Sequence, residues 1–289
     1  MNVQTSFAGS MPGVSPGVYD ERDFHAVAAI VRDEAGIVLP PGKAMLVYSR
    51  LAPLVRNSGR GTFASFVELI RADAEERRKA VCALTTNHTF FYREQHHFEH
   101  FAAEARPRLL AGLAAREPMR LWSAGCSSGE ETWSLVMTLL GPDKHEGQKI
   151  ARGDLRVLAS DIADHALTKA RAARYAAHDL EAVPASLTSQ WTRRSGAEEA
   201  EIVEDARALV QFRRLNLHGD WPLTRQFQVI FCRNVMIYFD QPAKERLIAR
   251  FAQQLEPGGY LYIGHSERVS GPAEDLLQPV GPTIYRRSK

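Results

Sequence analysis

The sequence predicts an α/β fold, a mainly parallel sheet preceded by a small all-α part. Three observations predict it. From Asp20 to about Arg116 the apolar residues recur at helical spacing. After Pro118, short apolar runs at Leu121–Ala124, Val157–Ser160, Val229–Cys232 and Tyr260–Ile263 alternate with helical stretches such as Thr132–Leu140 and Ala163–Ala176. Strands alternating with helices are the mark of parallel α/β sheets. Finally, the first apolar run ends in Ser123-Ala124-Gly125-Cys126-Ser127-Ser128-Gly129-Glu130-Glu131, the form of a strand turning tightly into a helix.

Within the helical part, Phe24, Val27, Ala28 and Val31 share a face that Gly36 terminates. A second helix is expected from Lys43 to Asn57, kinked or shortened by Pro53, since an interior proline costs about 3 kcal/mol. Thr62 suits the N-cap of a third helix with Phe63, Phe66, Val67 and Ile70 on one face. A fourth begins near Glu75, and a long fifth runs from about Gln95 to Ala115. Residues 1–18, rich in Gly, Pro and Ser, read as a flexible tail, residues 19–84 as the helical domain, 85–117 as a linker and long helix, and 118–289 as the sheet domain. The alternation breaks over about 184–211, where a small inserted hairpin or helix is expected.

Composition narrows the function. The 289 residues are 45% hydrophobic, ordinary for a globular chain. No segment approaches the roughly 20 apolar residues of a membrane span, and Met1–Phe7 lacks the features of a secretory signal. Cys82, Cys126 and Cys232 are widely spaced and odd in number, which fits reduced thiols in a cytoplasmic protein. A net charge of +2 does not argue for nucleic acid as a partner.

The glycines of the Gly125–Gly129 turn predict a loop whose bare backbone lies against a flat ligand. Glu130 and Glu131 in the first helical turn would repel a phosphate, so a cationic or neutral nucleoside fits better than a pyrophosphate. Asp161, at the end of the neighbouring strand, suits ribose hydroxyls, or the N-cap of the next helix, or both. Its distance from Gly125 and the missing third glycine disfavour a dinucleotide enzyme. Gly125-Cys126-Ser127-Ser128-Gly129 also matches a serine-hydrolase elbow, with Asp161 and His265 following in chain order. The helical residues that come first speak against it. His96 and His100, with His88 and His97 nearby, have zinc-compatible spacing but no further ligand, so no metal is expected. Arg233, Asn234, Tyr238 and Phe239 follow the third strand, where a parallel sheet presents groups to its ligand. The stretch Ala35–Val67 contains Lys43, Arg50, Arg56 and Arg60 and no acidic residue. It reads as a solvated face or as a docking surface for an acidic helix.

Five segments together resemble the CheR-type chemoreceptor glutamate methyltransferases. They are Leu84–Glu94, Ser123–Glu131, Ala159–Ile162, Phe231–Phe239 and Gly264–Glu267. The resemblance spans residues 20–287. It implies a Rossmann-like class I S-adenosylmethionine-dependent methyltransferase domain, a small all-α N-terminal domain and a small inserted subdomain. It implies that Asn87, Thr89, Arg93, Glu131, Asp161, Asn216, Leu217, Arg233 and Asn234 hold S-adenosylmethionine, leaving S-adenosylhomocysteine as product. Arg93 and Tyr238 resemble residues beside the transferred methyl. The implied partner is the cytoplasmic helical domain of a chemoreceptor, met by a monomer without membrane insertion. The chain departs at Glu131-Thr132-Trp133, where Glu-Pro-Tyr is usual, and lacks the usual glycine spacing over Ser189–Gln211. The same fold could serve another protein or a small-molecule acceptor outside chemotaxis.

Overall fold

The computed structural model describes residues 14, 15 and 17–288. Most of the expected tail lies outside these residues. The described residues form two compact units, one running up to Thr86 and including Tyr238–Ala243, the other of Asn87–Ile237 with 244–288.

The first unit holds helices α1 (Glu21–Ala35), α2 (Ala44–Asn57), α3 (Phe63–Ala72) and α4 (Ala74–Leu84). Asp20 and Asp23 form a reciprocal capping box on α1, and Gly36 ends it at φ 72°. Thr62 caps α3 by accepting the Ser65 N–H. Phe24, Val31, Val47, Leu51, Phe63, Phe66 and Ile70 bury the apolar faces that the periodicity predicts. The helix over Pro53 neither ends early nor splits; α2 runs on to Asn57. Pro53 lies on the exposed side of α2, and Val47, Leu51 and Val55 on either side of it stay buried, so packing outweighs the lost hydrogen bond. The hexapeptide Tyr238–Ala243 joins this unit through an Ile37–Phe239 bridge, the Val38 N–H to the Tyr238 carbonyl at 2.8 Å, and Arg32 to Asp240 at 2.9 Å.

The second unit opens with one long helix containing an internal π turn. It comprises α5 (His96–His100), the π segment Phe101–Ala105 and α6 (Arg106–Ala114). A sheet domain follows: β1 (Met119–Ala124), α7 (Glu130–Leu140), α8 (Lys144–Ala151), β2 (Leu155–Asp161) and α9 (Asp164–Ala172). The helix expected to reach Ala176 stops at Ala172. Ala173 turns left-handed and Arg174–Ala176 becomes strand β3. The insertion therefore starts earlier than residue 184. Helix α10 (Ala185–Trp191) lies within it, with β4 (Thr192–Arg194) and β5 (Glu199–Ile202), and the strands form a three-stranded antiparallel sheet in the order β3-β5-β4. Helix α11 (Glu204–Arg207) leads to β6 (Val210–Arg214), a strand the apolar pattern does not reveal. The chain ends with β7 (Phe227–Cys232), α12 (Gln241–Gln254), β8 (Leu255–Ile263), β9 (Leu277–Gly281) and β10 (Ile284–Arg287).

The main sheet has the order β6-β2-β1-β7-β8-β10-β9. β6, β2, β1, β7 and β8 are parallel, and β10 runs antiparallel to both neighbours. The chain winds outward from β1 to β6, then returns to place β7 on the other side of β1. That reversal opens a crevice at the carboxyl ends of β1 and β7, the ligand position of open α/β sheets. No helix among the described residues is long and apolar enough to cross a membrane.

Candidate active site

The crevice is lined by the turn after β1, the end of β2 and the turn after β7. The first turn is anchored backbone to backbone, with the Gly125 and Cys126 N–H groups on the Ser160 carbonyl at 2.7 and 2.9 Å. Its glycines are required by conformation and packing within the chain. Gly125 (φ +79°) would carry a Cβ 2.4 Å from Val235 Cγ2, and Gly129 (φ +99°) one 2.7 Å from the Tyr175 hydroxyl. The two acids after the turn also separate. Glu130 accepts the Ser128 hydroxyl at 2.7 Å and pairs with Lys169 at 3.2 Å, whereas Glu131 turns to Arg233.

Asp161 braces the turn. Its Oδ2 accepts the Ser127 N–H at 2.8 Å and its Oδ1 the Ala163 N–H at 2.9 Å. Burial pushes its carboxyl up, against the pull of these amides. The Ile162 N–H lowers it as well, so three amides hold the carboxylate, and of its four lone-pair sites one remains for a further donor. Next to it, the Leu215 N–H donates to the Asp161 carbonyl at 3.0 Å. Asn216 Oδ1 accepts the His218 N–H, and the Leu217 carbonyl accepts Arg250. Asn216 and Leu217 thus begin a fixed turn beside the β2 end.

On the β7 side, Arg233 is almost wholly buried between two carboxylates. Its Nη1 lies 3.4 Å from Glu131 Oε2, its Nη2 lies 3.4 Å from Glu94 Oε2 and donates to the Arg93 carbonyl, and its Nε has no partner. Glu131 Oε1 accepts the Ser123 hydroxyl at 2.8 Å. Burial raises the Glu131 carboxyl, with Arg233 and Ser123 opposing.

Glu94, unremarkable as a lone residue in the sequence, is the hub. Its Oε1 accepts the Asn234 amide at 3.3 Å, the His265 N–H at 3.2 Å and His265 Nδ1 at 3.0 Å. Burial works to raise Glu94, but Arg233 and the His265 donors prevail and hold it at about 2. Glu267 plays the matching backbone role, accepting the Asn234, Met236 and Gly264 N–H groups at 3.2, 2.8 and 2.6 Å. Asn234 (φ 58°) is fixed by both acids, and Gly264 has no room for a Cβ because Asn234 Nδ2 would lie 2.5 Å away. Only chain folding reveals these two roles, for Glu94 and Asn234 are 140 positions apart.

The remaining residues of the expected site sort as follows. The Asn87 carbonyl accepts the Ser127 hydroxyl at 3.1 Å. Thr89 is half-buried in the loop before α5, and Arg93 donates to the His88 carbonyl at 3.0 Å with its guanidinium 5.7 Å from the Phe90 ring centre. Tyr238 groups with the helical unit. There, Lys43, Arg56 and Arg60 are exposed, but Arg50 is engaged internally, donating to the Leu84 and Thr85 carbonyls at 3.0 and 2.6 Å. The hydrolase reading fails on geometry. Ser127 donates to Asn87, His265 engages Glu94, and Asp161 is occupied by backbone amides. The histidines of the long helix grip the sheet: His96 reaches the Pro282 carbonyl, His97 the Thr283 hydroxyl and His100 the Tyr262 hydroxyl. No group of three metal-ligating side chains occurs among the described residues.

Two family models match the chain, that of the CheR methyltransferase SAM-binding domain over residues 87–285 and that of the CheR methyltransferase all-alpha domain over 22–85. The chain belongs to the CheR methyltransferase family. A probable chemotaxis protein methyltransferase of Rhizobium etli is 40% identical over 89% of this chain and 96% of its own. Chemotaxis protein methyltransferase 2 of Pseudomonas aeruginosa is 39% identical over 92% and 93%. The Escherichia coli chemotaxis protein methyltransferase is 35% identical over 92% and 91%. The cofactor of the family is S-adenosylmethionine, and the crevice suits it. Two buried carboxylates and an unpartnered buried Arg233 Nε offer a cationic nucleoside both acceptors and a donor, while a pyrophosphate would face Glu131 and Asp161.

Proposed function

We propose that the chain methylates glutamate side chains on the cytoplasmic helical domain of chemoreceptors, forming methyl esters. Family membership over both parts of the chain carries this reading. Bound S-adenosylmethionine supplies an electrophilic methyl group on a sulfonium. The acceptor needs no general base, since a glutamate with a pKa near 4.3 is already ionised at neutral pH. What remains for the protein is alignment, which can supply roughly 7–11 kcal/mol of a barrier. Asp161 holds the ribose with its remaining acceptor site, Asn216 and Leu217 flank the adenine, and Glu131, Asn87 and Thr89 hold the remaining polar groups. Arg233 and Asn234 close the crevice, locked in place by Glu94. Arg93 orients the incoming carboxylate. Lys43, Arg56 and Arg60 steer the receptor's acidic helices, and the chain works as a cytoplasmic monomer. Labelled methyl transfer from S-adenosylmethionine to receptor-bearing membranes tests the proposal. Incorporation released as methanol by base identifies the ester; a label that resists base, or appears only on small molecules, overturns it.

A further inference from the structure

A second concavity, of about 490 Å³, runs along the β1–β2–β6 end of the main sheet and adjoins the crevice only where Arg214 and Leu215 lie beside Asp161. Its size is within the 300–1,000 Å³ range of ligand sites. Its charge is one-sided, with Arg120, Arg156, Arg213, Arg214 and Arg225 lining it and no acidic side chain among its lining residues. Arg120 pairs with Asp154 at 2.7 Å, but the other four have no carboxylate partner among the described residues. Solvated guanidiniums at a sheet edge could serve only to discourage edge pairing. That explanation does not cover the apolar floor, where Leu158, Leu215 and Leu223 remain half-exposed between the basic ends.

The register sets the spacing. Arg213 is level with Ser160, four residues along β2 from Arg156. At about 3.3 Å per residue the two basic positions are about 13 Å apart along the strand direction. The outer wall is held rigidly. Trp221 packs on Trp122 and Phe251, and Arg250 stacks on Trp221 at 3.8 Å while donating to the Leu217 and Gly219 carbonyls. The groove is thus a preformed shape with cations at both ends and apolar surface between.

We propose that this groove binds an extended acidic segment of a partner protein, with the pattern acid-x-apolar-x-acid. In an extended chain, residues i and i+4 are also about 13 Å apart, and residues i, i+2 and i+4 share one face. Each terminal carboxylate can then meet an arginine while the central side chain covers the leucines. A mononucleotide, whose phosphates cluster at one end, would engage only half of the site. The site is independent of the acceptor chemistry.

The test is fluorescence polarisation with the full chain and a labelled peptide, Gly-Glu-Ser-Leu-Ser-Glu-Gly. Saturable binding that weakens with salt is expected, with about tenfold loss for Arg156→Ser or Arg213→Ser and a larger loss for the pair. The peptide with Gln for both Glu, and one with the two Glu adjacent, should bind at least about tenfold more weakly. Both arginines are exposed, so S-adenosylhomocysteine affinity and thermal midpoint should stay at wild-type values in the variants. Absence of peptide binding, equal binding by the Arg156→Ser/Arg213→Ser protein, indifference to charge spacing, or arginine-dependent binding of ATP in place of the peptide would each overturn the proposal.

Discussion

Glu94→Gln keeps the side chain's size and removes its charge from the centre of the site. Held at about 2 instead of the ordinary 4.5, the Glu94 carboxylate contributes about 3 kcal/mol at neutral pH. A tenth of the side chain reaches solvent, and Arg233 retains Glu131 in the variant, so a loss of about 2–3 kcal/mol is expected. The sign follows from linkage. The folded carboxyl titrates below the unfolded one, so its stabilisation is complete above about pH 4.5 and fades as pH falls through about 2. Urea melts of both proteins at pH 7, 5, 4 and 3 should therefore show a stability gap that shrinks to less than half by pH 3. The variant should also bind S-adenosylhomocysteine more weakly, because Arg233 and Asn234 lose their common anchor. A gap that stays constant across the pH series, or a variant as stable as wild type at pH 7, would refute the assignment of Glu94 as the organising charge.

Further outcomes are expected. Burial, then Arg233, then His96 depress His97 to about 3, so the unfolded chain takes up a proton below pH 6.5 that the folded one refuses. Wild type should lose up to about 1.4 kcal/mol per pH unit below 6.5 from this residue, and His97→Gln should flatten that slope in the same melts. Gly125→Ala should cost about 1–2 kcal/mol for the left-handed backbone plus the clash with Val235, and Val235→Ala should restore only the clash component. Arg93→Ala should reduce turnover far more than cofactor affinity, whereas Asp161→Ala should chiefly weaken affinity, as read by calorimetry beside the methyl-transfer assay. Equal losses of both quantities in either variant would remove the distinction.

The parallel strands were legible because a strand buried on both faces is a continuous apolar run, as in Val229–Cys232. The edge strand β6 was not, since Val210-Gln211-Phe212-Arg213-Arg214 buries only Phe212 and leaves its arginines in solvent. Strand β3 was absorbed into the preceding helix because Tyr175 continues the apolar spacing, and only the left-handed Ala173 breaks it. Within the site, Asp161 and the Gly125 turn could be found from their place after strands, but the packing of the glycines against Val235 and Tyr175 could not, since those residues come later in the chain. Glu94 and Glu267 close two of the segments that carry the resemblance, but their roles cannot be read there, for each role is the set of distant donors it collects.

The hexapeptide Tyr238–Ala243 has a practical consequence. The helical unit is assembled from two separate stretches of sequence, so it is no detachable bead on a string. Cutting after Thr86 would strip it of the Phe239 bridge and the Asp240 ion pair, leaving Ile37 and Arg32 without their partners. Anyone grafting this unit onto another relative must carry both stretches, and natural recombination at that joint would have faced the same demand.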